Sequence, residues 1–220
     1  MRTPVRLIGT LAALLVFAAG CNDGTLTPST ADASSSPGKL KPPAAAGDAT
    51  AALAALTIAD QHPMTGYSRD RFPHWRSAGK GCDVRDVILK RDGTDVKLSG
   101  CNVTGGSWKS WYDEKTYTAL SQVDIDHMVP LANAWRAGAD KWDDQKRGDF
   151  ANDQTRPQLF AVSASANRSK GDQDPSTWKP PAKSAWCQYA QDWITVKTYW
   201  KLSVTAAEKD ALTDMLGTCA

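Results

Sequence analysis

Residues Asp124–Pro130, with the sequence DIDHMVP, join a short apolar strand pattern to two acids and one of the three histidines in the chain. Ile125 separates Asp124 from Asp126, and this alternation predicts a strand that buries one face and carries its acids on the other. The proline that closes the run is typical of a strand end. Asp126 and His127 are therefore expected side by side where the strand stops, and both residue types bind metals or transfer protons.

A second polar run follows about forty residues later. Ala166–Asp172 (ANRSKGD) comes after a short apolar strand pattern at Gln158–Val162 (QLFAV). The order strand, loop, strand, turn and helix predicts that an Asp, a His and an Asn meet at the adjoining ends of a hairpin and a helix. An Asp-His pair alone is more often a buried ion pair, and it is the added ANRSKGD run that favours a catalytic site.

These residue types suit metal-assisted hydrolysis of a phosphodiester. Asp126 and the amide oxygen of Asn167 offer two ligands to a hard divalent cation such as Mg²⁺ or Mn²⁺. His127, neutral at physiological pH, can take a proton from an attacking water. Lys170 and Arg168 are predicted to hold the phosphates that flank the cut.

The runs DIDHMVP, QLFAV and ANRSKGD together resemble the HNH, or ββα-metal, nuclease motif. From about Tyr67 to the last cysteine, the chain is similar to secreted bacterial HNH endonucleases related to the C-terminal nuclease domain of GmrSD-type restriction enzymes. That resemblance implies an α+β fold, in which a ββα-metal core carries additional helices and a small antiparallel sheet. It also implies endonuclease activity by direct attack of water, which leaves a 5′-phosphate and a 3′-hydroxyl.

The resemblance assigns a role to each motif position. His127 matches the general base, Asp126 matches the metal-binding acid, and Asn167 matches the third motif residue, a metal ligand in many members. The middle position, usually an Asn that braces the loop, is Gln158 here, and its longer side chain carries the same amide groups. Asn152 in the run FAND is the alternative brace.

The start of the chain predicts export. Residues 1–20 combine two arginines with an apolar run that ends in small residues, as in a secretory signal peptide. Cys21 follows Ala-Ala-Gly and resembles the lipidated cysteine of bacterial lipoproteins, with ordinary secretion as the alternative. Residues 21–56 are rich in Ser, Pro and Ala and predict a flexible tether, which leaves 57–220 as one endonuclease domain. The protein is expected to be a cell-surface lipoprotein or a secreted protein that meets the membrane only through this anchor.

Four cysteines remain after Cys21, and an even number in an exported chain predicts two disulfides. Four cysteines allow three pairings. We favour the two that are local in sequence, Cys82–Cys101 and Cys187–Cys219. A zinc site is the weaker alternative, because the chain has no C-x-x-C pair.

The net charge of the chain limits how it can bind nucleic acid. The whole chain carries a formal charge of +2, and residues 1–20 contain two arginines and no acid, so the chain without them is formally neutral. Binding to nucleic acid, DNA before RNA, therefore requires a local basic face, and little sequence preference is expected. The domain is expected to be a monomer.

Two other functions are open at this stage. A lipoprotein that binds nucleic acid or cell-wall polymer without turnover would explain the nine tryptophans and the Gln158 departure. A secreted toxin would need an immunity partner. His62 and His74, next to prolines and far from the motif in sequence, are predicted to be surface or packing residues.

Overall fold

The computed structural model describes residues 46–219 of the chain. The predicted signal peptide, the lipidation of Cys21 and most of the predicted tether lie outside the described residues. Within the described part, no helix combines the length and the apolar character that a membrane crossing requires.

Helices and short strands alternate along the described chain. The helices are α1 Ala46–Ala55, α2 Val84–Asp92, α3 Leu131–Arg136, α4 Asp144–Ala151, α5 Ala164–Lys170, α6 Trp186–Trp200 and α7 Ala206–Leu216. The strands are β1 Ser77–Gly79, β2 Cys82–Asp83, β3 Thr94–Ser99, β4 Asn102–Lys109, β5 Thr116–Tyr117, β6 Val123–His127 and β7 Leu159–Ser163. They form antiparallel sheets in the orders β1-β2, β3-β4-β5 and β6-β7. The predicted α+β class is confirmed.

The hairpin of β6 and β7 lies between two hydrophobic clusters. Their register pairs Val123 with Ser163 and His127 with Leu159. Phe160 and Val162 belong to the cluster built on α3, α4, α6 and α7, whereas Leu159 joins the cluster built on α2 and β4. Every residue of β7 is buried, which explains why QLFAV is a continuous apolar run instead of an alternating one.

Helix α5 begins directly after β7. The Ser163 hydroxyl accepts a hydrogen bond from the backbone N–H of Ala166, 3.3 Å away, and so caps the helix. The chain therefore turns from strand to helix without a loop, and α5 packs on the hairpin. The polar run ANRSKGD is the helix itself and its end at Gly171.

The last helix begins with a capping box. Thr205 accepts from the backbone N–H of Glu208, and the Glu208 carboxylate accepts from the backbone N–H of Thr205. Glu208 is buried, and it also accepts from Nε1 of Trp193 and pairs with Lys197, both at 2.6 Å. One carboxylate thus caps α7 and joins it to α6.

The folded domain starts earlier than the sequence predicts. Residues 46–55 belong to the predicted tether, yet they form α1, and Ala49 and Leu53 are buried in the larger cluster against α6 and α7. A short parallel bridge between Ile58 and Val204 continues this contact. The boundary at residue 57 is therefore wrong. Small apolar side chains at helical spacing can bury one helix face even where large hydrophobic residues are few.

The structure contains the two disulfides that the sequence favours. Cys82–Cys101 connects β2 to the turn between β3 and β4. Cys187–Cys219 connects the first turn of α6 to the residues after α7. Each closes a local loop within its own half of the domain.

One buried acid makes the stability of the domain depend on pH. Asp192 on α6 is buried, and its carboxylate accepts a long hydrogen bond of 3.5 Å from Gln188. Burial raises the pKa of Asp192 from an ordinary 3.8 to about 8. Between these two values the folded state binds more protons than the unfolded state, so the free energy of unfolding falls as the pH rises.

We expect Asp192→Asn to remove this loss, because an amide can be buried without a charge. The wild-type protein should lose up to about 1.4 kcal/mol of unfolding free energy per pH unit from this group alone. Urea unfolding of both proteins at mildly acidic and mildly alkaline pH, with the disulfides intact, measures the difference. Equal pH slopes in the two proteins would contradict the assignment.

Candidate active site

The sequence-predicted residues meet where β6 ends beside α5. A cavity of about 260 Å³ opens there to solvent. Four of the predicted residues line this cavity: Asp126, His127, Asn167 and Arg168. Tyr67 and Arg69, which the sequence did not single out, line it as well. The strand end and the helix therefore bring the motif together as the strand-strand-helix order predicts.

His127 is held in one protonation pattern by the backbone. It is 5% exposed, and its Nε2 lies 2.9 Å from the carbonyl oxygen of Ala151. Because a carbonyl can only accept a hydrogen bond, Nε2 carries the proton and Nδ1 of the neutral ring keeps its lone pair. Burial lowers the pKa of His127 to about 3. The ring is therefore a neutral base at physiological pH.

Asp126 accepts hydrogen bonds through one oxygen. Its Oδ2 receives the Tyr112 hydroxyl and the Lys170 ammonium, each at 2.5 Å. Burial raises the pKa of Asp126, and the adjacent Lys170 charge opposes that rise. Burial together with the Asp126 charge keeps the pKa of Tyr112 well above its ordinary value, so the phenol remains a donor. In the described part of the chain, no hydrogen bond engages Oδ1.

Lys170 does not lie where the sequence prediction puts it. The sequence assigns it to phosphate binding, but the side chain has no exposed surface. Its ammonium donates to Asp126, to the carbonyl oxygen of His127 and to that of Met128. Lys170 lies three residues after Asn167, and in α5 this spacing puts it on the hairpin side of the helix.

Asn167 and Arg168 both contact Asp124. The Asn167 amide nitrogen donates to Oδ2 of Asp124 at 3.3 Å, which leaves the side-chain amide oxygen without a hydrogen bond to a described residue. Asn167 lines the cavity. The Arg168 guanidinium lies 3.4 Å from the same oxygen, and its side chain is 70% exposed. Asp124 thus orients an amide that can bind a cation and an arginine that can reach a ligand in solution.

Gln158 braces the loop after β6. Its amide oxygen accepts from the backbone N–H of Val129 at 3.1 Å, and its amide nitrogen donates to the Val129 carbonyl at 2.9 Å. Both groups are buried. This two-point contact fixes the backbone directly after His127, and it is the arrangement that an amide side chain at this position can provide.

The segment Arg69–Arg76, called the strap below, covers His127. The Trp75 ring stacks on the His127 ring with centroids 5.4 Å apart and an interplanar angle of 14°. The His74 ring meets the same imidazole edge-on at 5.9 Å. His74 is thus a packing residue, as the sequence predicts, although more than fifty residues of chain separate it from His127. Only the aromatic run FPHW in the strap hints at such packing.

Asn152 anchors the strap and does not brace the loop after β6. Its Oδ1 accepts from the backbone N–H of Arg76 at 2.9 Å, and its Nδ2 donates to the carbonyls of Pro73 and Gly148, both at 2.7 Å. The Arg76 guanidinium packs against Gly148, where a Cβ would overlap it. The two candidate braces thus act on the two sides of His127.

The donor set suits a hard cation with few protein ligands. Among the described residues, no group of three His, Cys, Asp or Glu side chains could hold a metal ion. Of the two predicted ligands, which both line the cavity, Oδ1 of Asp126 and the amide oxygen of Asn167 have no hydrogen bond to a described residue. Asp172 also lines the cavity, and its Oδ2 accepts from Arg136. Mg²⁺ and Mn²⁺ bind such oxygens and complete their coordination with water and phosphate. Asp126 and Asn167 therefore fit either cation.

We expect Asn152→Ala to release the strap. The change leaves the backbone N–H of Arg76 and the carbonyl of Pro73 without their Asn152 partner, and should cost about 1–3 kcal/mol of unfolding free energy. Urea unfolding measures the loss, and hydrogen exchange at the Arg76 amide reports the strap directly. Asn152→Asp is the matched control, because it keeps an acceptor for Arg76 but not the donors. Slow Arg76 exchange in the alanine variant would contradict the anchoring role.

Known proteins match this chain over most of the domain. The family of the C-terminal domain of GmrSD restriction endonucleases matches residues 84–215. A protein of the fungus Arthroderma benhamiae, known only as an uncharacterized secreted protein, is 53% identical over 175 residues, which cover 79% of this chain and 86% of the fungal protein. No solved structure matches.

The relative and the two disulfides confirm the expected export. The relative is fungal, so the bacterial character of the predicted resemblance stays a prediction. The family match includes β6, β7 and α5, which carry Asp126, His127 and Asn167. This chain belongs to the family of the C-terminal domain of GmrSD restriction endonucleases.

Proposed function

We propose that this protein is an exported, divalent-metal-dependent endonuclease of the HNH type that hydrolyses phosphodiester bonds of DNA. The observation that carries the proposal is the state of His127. A neutral imidazole with its Nε2 proton committed to the Ala151 carbonyl offers Nδ1 as an acceptor, beside two oxygens that suit a cation.

His127 is the general base in this proposal. Its Nδ1 removes a proton from a water molecule as the water attacks phosphorus, so no covalent bond to the protein forms. The Ala151 carbonyl stabilises the imidazolium that results, because it already accepts the Nε2 hydrogen. The Trp75 ring, nearly parallel to the imidazole, restricts its rotation. The base is thus oriented before the substrate arrives.

Asp126 and Asn167 would hold the Mg²⁺ or Mn²⁺ ion. When bound, such a cation stabilises negative charge on the phosphate and on the leaving oxygen. The protein's own contribution is orientation. Tyr112 and Lys170 fix Asp126, and Asp124 fixes the Asn167 amide so that its oxygen is free.

Two exposed arginines at the cavity are the candidate phosphate ligands. Arg69 and Arg168 both line the cavity, and both are exposed. A second cavity of about 230 Å³ shares Arg168 and is otherwise lined by uncharged residues, among them Ser121, Gln122 and Ser165. A strand whose phosphate contacts Arg168 can therefore place the neighbouring nucleoside among hydrogen-bonding groups that carry no charge. RNA offers the same phosphate and is the second substrate to test.

We also propose that a lipid on Cys21 holds the exported protein at the cell surface. The resemblance of Cys21 to lipoprotein cysteines would make the enzyme a cell-surface protein held by a lipid. Mass spectrometry of the native N-terminus tests this point separately from activity. An unmodified residue 21 would leave ordinary secretion.

One observation favours a second candidate function. Oδ2 of Asp126 is already occupied by two short hydrogen bonds, from Tyr112 and Lys170. If those bonds prevent cation binding, the protein binds nucleic acid without cutting it. Metal-dependent turnover separates the two functions.

We expect the exported chain from residue 21, with its disulfides formed, to cut plasmid DNA with Mg²⁺ or Mn²⁺ and to stop when EDTA is added. His127→Ala should lower the rate about 10²–10⁴-fold, because the general base is lost. Agarose gels of timed digests measure this. His62→Ala is the control, since His62 binds Asp140 and does not line the cavity. A wild-type cutting rate in the His127→Ala variant would refute the assignment of His127 as the general base. A folded wild-type protein that cuts neither DNA nor RNA would favour the binding function.

We expect Arg168→Ala to weaken DNA binding through the loss of one phosphate contact. The slope of log K against log salt should then become shallower by about 0.9 on a duplex. Fluorescence anisotropy over a salt series, with EDTA present to prevent cutting, measures the slope. Lys90→Ala, at an exposed lysine of α2 that lines neither cavity, should leave the slope unchanged. An unchanged slope for Arg168→Ala would exclude it as a phosphate ligand.

A further inference from the structure

We propose that Lys170 is a positioning residue, an internal cation that holds the metal-binding carboxylate and the helix of Asn167 in register. This inference rests on the proposed function. It also replaces the phosphate-binding role that the sequence gives to Lys170.

The ammonium of Lys170 has no donor left for a ligand. An ammonium carries three N–H groups, and three acceptors surround this one: Oδ2 of Asp126 at 2.5 Å and the carbonyls of His127 and Met128 at 2.9 Å each. The side chain has no exposed surface, and Lys170 is absent from the lining of the cavity. A phosphate in the cavity therefore cannot reach it without unfolding of this region.

Aromatic rings enclose the same charge. The Lys170 nitrogen lies 5.8 Å from the ring centre of Tyr112, 5.7 Å from that of Tyr189 and 5.9 Å from that of Trp193. Such rings stabilise a cation by their electron-rich faces and keep water away. Tyr112 acts twice, because its hydroxyl also donates to Oδ2 of Asp126. The carboxylate and the ammonium are thus held as one dry unit.

The contacts of Lys170 and Asn167 align α5 with β6. Asp124 and Asp126 are two residues apart and lie on one face of β6. Asn167 and Lys170 are three residues apart and lie on one face of α5. Each of the two acids on β6 accepts from one of the two residues on α5: Asp124 from Asn167, and Asp126 from Lys170. Slippage of the helix by one turn would break both contacts, so the pair sets the spacing between the two cation ligands.

The occupied Oδ2 also determines how Asp126 can bind. With two donors on Oδ2, Oδ1 is the oxygen without a hydrogen bond to a described residue, so the carboxylate can contact a cation through one oxygen. One-oxygen binding leaves more coordination positions for water and phosphate than two-oxygen binding does. Lys170 thereby shapes the reaction without touching the substrate.

The test compares Lys170→Met, Tyr112→Phe and Arg168→Ala. Lys170→Met leaves a buried carboxylate without its counter-ion and can fail to fold. Tyr112→Phe is the milder variant, because it removes one donor to the same oxygen and retains the ring. Circular dichroism and the unfolding midpoint establish the folded fraction, and all rates are expressed per folded molecule.

We expect Tyr112→Phe to lower kcat about tenfold and Lys170→Met to lower it about a hundredfold or more, with KM for DNA within twofold of wild type. Both should shift the half-saturating Mn²⁺ concentration at least threefold. In anisotropy with EDTA, both should keep the wild-type salt slope, whereas Arg168→Ala makes it shallower. A merely structural role would change the unfolding midpoint and leave kcat per folded molecule and the Mn²⁺ dependence unchanged.

Two results would overturn the proposal. A shallower salt slope for Lys170→Met, equal to that of Arg168→Ala, would make Lys170 a phosphate ligand. Wild-type kcat and Mn²⁺ dependence in the folded Tyr112→Phe and Lys170→Met proteins would remove the positioning role. If the wild-type protein itself does not cut, the proposed function fails, yet the salt-slope comparison still decides whether Lys170 contacts phosphate.

Discussion

A buried ammonium–carboxylate pair between α5 and β6 is the contact on which the rest of the site depends. Burying two charges is costly, and the cost is recovered only when every hydrogen-bonding group is satisfied. Here the Lys170 ammonium has three acceptors, and Oδ2 of Asp126 has two donors. Such a pair contributes little net stability compared with apolar residues of the same volume, but it tolerates a single arrangement. Its value lies in the register that it imposes.

The remaining supports of the site act on the same few residues from other directions. Gln158 fixes the backbone at Val129, and the strap holds the His127 ring from the opposite side through Trp75. The hairpin that carries these groups is buried between two hydrophobic clusters, so it has no freedom to shift. The base and the cation ligands are thus built on regular elements, whereas the two arginines of the cavity are exposed to solvent. This division suits a site that must be preorganised and still accept a long polymer.

Much of this arrangement could be predicted from local sequence patterns. Strand alternation around Ile125 and the strand-strand-helix order were enough to bring Asp126, His127 and Asn167 together, because each depends on short-range geometry. Lys170 could not be assigned in the same way. Charged residues in a polar run are usually solvated, and only the phase of α5 against the hairpin shows that this one points inward.

Two other features depended on contacts that are distant in sequence. His74 and Trp75 reach His127 across more than fifty residues, and no periodicity encodes that approach. The start of the domain was placed too late because α1 buries small side chains, which give a weak hydrophobic signal. The disulfides have a further consequence. They join residues 19 and 32 apart in sequence, and closing such loops contributes about 3 kcal/mol each by restricting the unfolded chain. That sum is a large share of the 5–15 kcal/mol by which a typical domain is stable against unfolding. The redox potential of the compartment therefore governs when the domain reaches its full stability. In a reducing cytoplasm the chain stays in its less stable, reduced form until it is exported.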